Sequence, residues 1–241
     1  MQFELTKLKQ AMMAQVDRNN NAANNMANIG TTGFKKDQIF FHTLSDELDI
    51  SKDMTHATSF EQGHLQETGN PFDLALSGNG FFMVELENGD NAFTRDGVFH
   101  VDEDGVLKNK SNMPVLGEGG WINILSEFGT PSDVVITERG EVFADGNLLD
   151  KIIVADFETP DALQKMGGSL FKANERAVEF QVDTPSIKQG FLEGSNVNPA
   201  QEMIELIEIQ RNFEGVQRMV RALDDVYKKA VQQVGQYRTT A

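Results

Sequence analysis

Leu206, Ile209, Phe213, Val216, Val220, Leu223, Tyr227, Ala230 and Val234 recur at alternating intervals of three and four residues, and all nine are apolar. A heptad seam of this kind is satisfied by one long helix laid against other helices. Its start is well marked. Asn198 suits the N-cap, Pro199 the first helical position and Gln201 the capping-box position. Glu202 and Glu205 put negative charge at the positive end of the helix dipole. The pattern predicts a helix from Pro199 to about Gly235, about 55 Å long at ~1.5 Å per residue.

The other end of the chain carries a second stripe. Leu5, Leu8, Met12, Val16, Asn19, Ala23 and Ala27 follow intervals of three, four and four, an eleven-residue period of ~3.67 per turn, close to that of a straight helix. Gly30 and Gly33 end it. Its lower half is rich in Asn and Ala, residues that permit close approach and amide hydrogen bonding although Asn is a poor helix former. The two helices can pack on each other or on the chain's own core. A mutual pair leaves about ten residues of the longer helix unmatched, and each buried seam residue is worth at most roughly 1.5–3 kcal/mol. Other copies of the chain are the natural additional partners.

Charge separates these ends from the middle. Residues 1–36 are net +3, residues 199–241 are neutral, and residues 37–198 carry −19 of the overall −16. The ends meet other chains with little repulsion, while the acidic middle disfavours nucleic acid and anionic lipid. The sequence contains no cysteine, so disulfides and thiolate metal sites are excluded. It shows no membrane span, no direct lipid anchor and no cleavable leader, so the usual routes leave such a chain in the cytosol unless a dedicated machine exports it.

From Asn70 to about Asp156 the period becomes two. Phe82, Val84 and Leu86 alternate with Phe81, Met83 and Glu85. Asn88-Gly89, Asp96-Gly97 and Asp104-Gly105 stand eight residues apart and read as hairpin turns of an antiparallel meander. Val134–Thr137, Glu141–Ala144 and Lys151–Phe157 add strands around an Asp145-Gly146 turn, and Thr159–Lys165 suggests a short helical turn. The fold class is α+β: a mainly antiparallel β middle domain with long N- and C-terminal helices that form coiled-coil-like packing on assembly.

Reactive constellations are missing from the pattern. His42, His56, His64 and His100 lack metal-ligand spacing. Asp102-Glu103-Asp104-Gly105 begins like a calcium loop, but the twelfth position is Met113 where a Glu is required, so a hairpin turn is the better reading. Gly117, Gly119 and Gly120 precede no Lys-Ser/Thr, and there is no Gly-x-Ser-x-Gly elbow. No catalytic residue, cofactor or metal is expected.

Four blocks carry a family resemblance. Asn25-Met26-Ala27-Asn28-Ile29-Gly30-Thr31-Thr32-Gly33-Phe34-Lys35 resembles the NN-x-AN-x-x-TTGFK signature of flagellar rod and hook proteins. Its motif positions are Asn25, Ala27, Asn28, Thr31, Thr32, Gly33, Phe34 and Lys35. Thr68–Phe82 resembles the TGNPLDLAIxGxGFF block, Phe93–Phe99 is similar to YTRxGxF, and Gln189–Val197 is similar to QGxLExSNV. The chain begins MQFELTKLKQAMM without the usual Gly-containing start, and Met26 and Ile29 replace commoner residues.

The resemblance implies a structural subunit of the flagellar basal-body rod. Its terminal helices would form the axial core and its β domain would face outward. The partners implied are copies of itself and other axial rod or hook proteins, the flagellar type III export apparatus, and surrounding ring proteins. The expected division is 1–36 (N-terminal helix and motif), 37–68 (irregular connector), 69–190 (β-rich domain) and 191–241 (C-terminal helix). The two stripes above are the expected subunit interface. Two other readings compete: a secreted β-domain binding module trimerised by its helices, and a carboxylate-based hydrolase.

Overall fold

The computed structural model describes residues 2–41, 54–125, 131 and 133–236. It is α+β: the described residues form 19 strands between an N-terminal and a C-terminal helix, and the strand pairs from Leu65 to Glu193 are antiparallel. The chain divides into two compact units, one of Met1–Ala27, Asp37–Ala57 and Asn198–Ala241, the other of Asn28–Lys36 and Thr58–Val197.

The first unit holds helix α1 (Gln2–Ala27) and helix α2 (Pro199–Gln236). The predicted start of α2 is realised in its hydrogen bonds. The Asn198 side-chain oxygen accepts from the Ala200 N–H at 3.0 Å and the Gln201 N–H at 3.4 Å. The helices run antiparallel: Asn25 and Arg18 of α1 meet Glu202 and Glu205 of α2, while Leu8 and Val16 share a cleft with Val220 and Phe213. Small Ala14 and Ala22 are buried on α1. Asp37–Phe41 and Met54–Thr58 pair as two strands. Both fall in the segment expected to be an irregular connector. Their residues, DQIFF and MTHAT, lack a clean alternation of apolar and polar side chains, so sequence pattern gave no strand there.

The second unit is built on a six-stranded sheet. Its order is Leu163–Gly167, Leu170–Ala173, Asn91–Thr94, Phe81–Glu85, Val154–Phe157 and Glu179–Gln181. Phe81–Glu85 is central and alternates between two cores. Phe82 and Val84 enter a core with Leu74, Leu107, Ile122 and Ile152, whereas Phe81 and Met83 join Phe93, Phe157 and Phe171 on the opposite face. The second core is aromatic, with Phe93 and Phe157 rings 4.9 Å apart at 86°. Edge-to-face contacts like this add to the area term.

The hairpin reading holds at three places and fails at one. Asn88-Gly89 turns Phe81–Glu85 onto Asn91–Thr94 in the six-stranded sheet, with the Leu86 N–H donating to the Asp90 carbonyl at 2.8 Å. Asp145 and Gly146 have φ of 48° and 82°, and they join Glu141–Ala144 to Asn147–Lys151 in the two-residue turn expected of Asp-Gly. Asp104-Gly105 turns Phe99–Val101 onto Leu107–Asn109. Asp96-Gly97 makes no hairpin. Asn91–Thr94 stays in the six-stranded sheet, and the chain leaves it for a two-stranded sheet after Gly97. There the Leu74 N–H donates to the Gly97 carbonyl at 3.0 Å, and a Cβ on Gly97 would lie 1.6 Å from the Leu74 oxygen. This glycine serves a backbone crossing, not a turn. The expected helical turn is a short 3-10 segment, Pro160–Ala162, followed directly by a strand.

Candidate subunit interface

The two stripes predicted as an interface fare differently within their unit. On α2, Ile209 is buried, and Leu206, Phe213, Val216, Val220, Leu223 and Tyr227 are half-buried. On α1, Leu8, Met12 and Asn19 are half-buried, while Val16, Ala23 and Ala27 are exposed. The side chains of Leu5, Ala230 and Val234 lie outside the described residues. Leu8, Met12, Val16 and Asn19 of the α1 stripe share clefts with Ile209, Phe213 and Val220 of α2, while Arg18 and Asn25, beside the stripe, reach Glu205 and Glu202. A period of 3.67 fixes how a stripe winds, not which flank of it meets the first partner.

Pairing leaves apolar surface open. Two clefts of about 320 and 370 Å³ lie along the helix pair, lined by Val16, Ile209 and Phe213 in one and by Leu8, Met12, Phe213 and Val220 in the other. Ile204, Met219 and Val226, on the side of α2 away from the seam, are at least 59% exposed, and Met13 and Ile207 are at least half exposed. The 38 residues of α2 outrun the 26 of α1. Among the described residues no helix is long and apolar enough to cross a membrane.

In the second unit the motif residues converge on one carboxylate. Glu193 is 0% exposed as a side chain; its Oε1 accepts from Lys35 Nζ at 2.7 Å and from the Gly63 N–H at 2.8 Å. Its Oε2 accepts from Arg95 Nη1 at 3.2 Å. Lys35 also donates to the Glu61 carbonyl, Arg95 donates to the Gly78 carbonyl, and both cations are buried. Burial pushes the Lys35 ammonium below its ordinary value, against the opposing pull of Glu193, and the same balance acts on Arg95. The TTGFK, TRDG and LEGSN blocks are thus tied by one ionic triad.

The rest of the first motif is held by backbone and short polar contacts. Thr31 donates to the Asn28 side chain, and Thr32 donates to Asp96 at 2.6 Å. Gly33 has φ of 65°, and a Cβ there would lie 2.3 Å from the Asp96 nitrogen. Phe34 is buried beneath the Lys165 ammonium, 4.3 Å from its ring centre. In the block Thr68–Phe82, Asp73 accepts from Thr68 and Asn70 and so closes its own loop. Apart from the buried Arg95 Nε, which meets no acceptor, these side chains pair with one another; the arrangement is that of a structural clasp.

Residues 188–233 match the family described as flagellar basal body rod FlgEFG protein C-terminal, and residues 75–144 match the flagellar hook protein FlgE/F/G D1 domain. The flagellar basal-body rod protein FlgF of Caulobacter vibrioides is 33% identical over 88% of this chain and 90% of its own length. The chain belongs to the flagellar basal-body rod protein family. FlgF of Mesorhizobium japonicum is 31% identical over 98% of this chain, and a FlgG of Buchnera aphidicola is 29% identical over 92%. Membership makes the chain a structural rod subunit of the flagellar basal body. Sequence reasoning quoted Lys35, Arg95 and Glu193 inside separate motifs but gave no sign that they meet.

Proposed function

We propose that this rod subunit assembles through its two terminal helices, and that α1 and α2 pack with helices of other axial subunits in coiled-coil-like fashion while the acidic β unit forms the outer part. The observation that carries this is the apolar surface left on the helix pair: Val16, Ala23 and Ala27 on α1, and Ile204, Met219 and Val226 on α2. Exposed large apolar side chains repeated along a near-neutral helix pair favour burial against further helices. The half-buried seam from Leu206 to Tyr227 would complete its burial in the same contacts. The proposed partners are copies of this chain, other rod or hook proteins and surrounding ring proteins, after passage through the type III export apparatus. The division into axial segments 1–36 and 191–241 and outer segment 69–190 follows that reading, and the protein acts without catalysis.

Phe213→Asp and Leu223→Asp test it. Each would place an unpaired charge in the assembled seam, at a cost of several kcal/mol. Immunoblots of purified basal bodies are expected to lack both variants although both accumulate in the cell. Incorporation equal to the parent chain would refute assembly through this seam.

A further inference from the structure

Asn25 is 1% exposed and Glu202 is 0% exposed, the two most buried polar side chains of the first unit. The Asn25 amide nitrogen donates to Glu202 Oε2 at 3.3 Å, to the Asp37 carbonyl at 2.9 Å and to Asn21 Oδ1 at 3.3 Å. Its oxygen accepts from the Asp37 N–H at 3.0 Å. One amide therefore ties α1, α2 and the strand Asp37–Phe41 together. No apolar side chain of similar size meets all these groups, since the site demands a donor toward Glu202 and an acceptor toward Asp37 together.

The rest of the helix pair sets register only weakly. The seam residues of α2 repeat every seven positions, so a slide of α1 by two turns exchanges one apolar contact for another. A slide would, however, strand a buried carboxylate opposite an apolar or mismatched side chain. Buried polar groups in helix seams specify register for this reason. Arg18 paired with Glu205 at 3.2 Å fits the same alignment, but both are partly exposed and carry less weight.

We infer that Asn25 and Glu202 form the register lock of the helical hairpin, and that the lock selects a chain's own α1–α2 pairing over shifted pairings. Its use in assembly rests on the rod-subunit reading: a fixed register presents Val16, Ala23, Ile204 and Met219 to neighbouring subunits in one alignment.

The absence of cysteine permits a direct test in the soluble full-length chain. Gln15 and Gln210 line the same cleft, so Gln15→Cys with Gln210→Cys reports the native register. Gln15→Cys with Gln217→Cys reports a slide of seven residues, about 10 Å. Both pairs are treated with a short bifunctional thiol reagent. Asn25→Asp sets a carboxylate against Glu202 and is expected to slow cross-linking of the native pair by about tenfold or more. Glu202→Gln keeps an acceptor for the Asn25 amide and is expected to stay within about threefold. The double variant Asn25→Asp/Glu202→Gln reverses donor and acceptor across the helices but leaves the Asp37 carbonyl without its donor, so a part of the native rate, at least about threefold above that of Asn25→Asp, is expected to return. Rescue of this kind distinguishes a register contact from general loosening. Native-pair rates unchanged in Asn25→Asp, or a double variant as slow as Asn25→Asp, would overturn the inference. A parent chain that fails to enter rods would refute the rod reading and leave the cross-linking result standing.

Discussion

Glu193→Gln is the substitution with the largest expected effect on the β unit. The carboxylate receives three hydrogen bonds, from Lys35, the Gly63 N–H and Arg95. Gln is nearly isosteric, but it removes the negative charge and turns an N–H₂ toward a donor. Two buried cations then lack their counter-charge. Loss of one partner of a buried ion pair costs about 3–5 kcal/mol. That is a large share of the ~5–15 kcal/mol that stabilises a domain. For a unit near 150 residues it corresponds to a fall in Tm of roughly 10–15 °C. The sole tryptophan, Trp121, lies in this unit with its Nε1 on Glu85, so its fluorescence follows unfolding of the β unit in the full chain. Glu118→Gln is the control: its Lys151 partner sits at 2.9 Å, but the Glu118 side chain is 52% exposed, so the expected loss is under ~1 kcal/mol. Equal melting of Glu193→Gln and Glu118→Gln would refute the view that the triad clasps the motifs.

Further outcomes follow from single contacts. Gly97→Ala is expected to destabilise the β unit by several kcal/mol, because its Cβ would meet the Leu74 carbonyl at 1.6 Å; chemical denaturation monitored by Trp121 measures it. Gly215 has open space around its Cβ, so Gly215→Ala is expected to strengthen α2 by ~0.5–1 kcal/mol in the monomer, read by circular dichroism. Reduced rod incorporation of that variant would place Gly215 against a neighbouring subunit, and unimpaired incorporation would place it toward solvent. The Lys108 hydrogen bond holds the Asp102 carboxyl below its ordinary range, so its contribution to the Phe99–Asn109 hairpin is present above that range and is lost as pH falls through the lowered value. Protection factors at Gly105 and Val106, exchange rates corrected for the intrinsic rate at each pH, are expected to hold until the pH falls below the ordinary carboxylate range; a loss of protection at or above that range would contradict this.

What the sequence disclosed was local. The start of α2 could be read because Asn198 and Pro199 act within four residues of themselves, and the Asp145-Gly146 turn because two positive φ values are needed side by side. Long-range closures left no such trace. Lys35 and Glu193 are 158 positions apart, and nothing in either neighbourhood announces the other. Gly97 looks like a turn glycine in Asp-Gly, and only the Leu74 backbone beside it reveals a crossing. Asn25 was read as a motif residue and Glu202 as a complement to the helix dipole, although both are consumed in one buried contact. The stripe on α1 shows the same limit. Its period was legible, but Ala14 and Ala22, off the stripe, are buried too, and small side chains of this kind are missed by a count of large apolar residues.

A cryo-EM map of purified basal bodies containing this chain tests the central claim most directly. The account predicts density for the chain in the rod, with α1 and α2 in the axial wall and Ile204, Met219 and Val226 buried against helices of neighbouring subunits. A rod in which those side chains face solvent, and the subunits touch only through their β units, would contradict it.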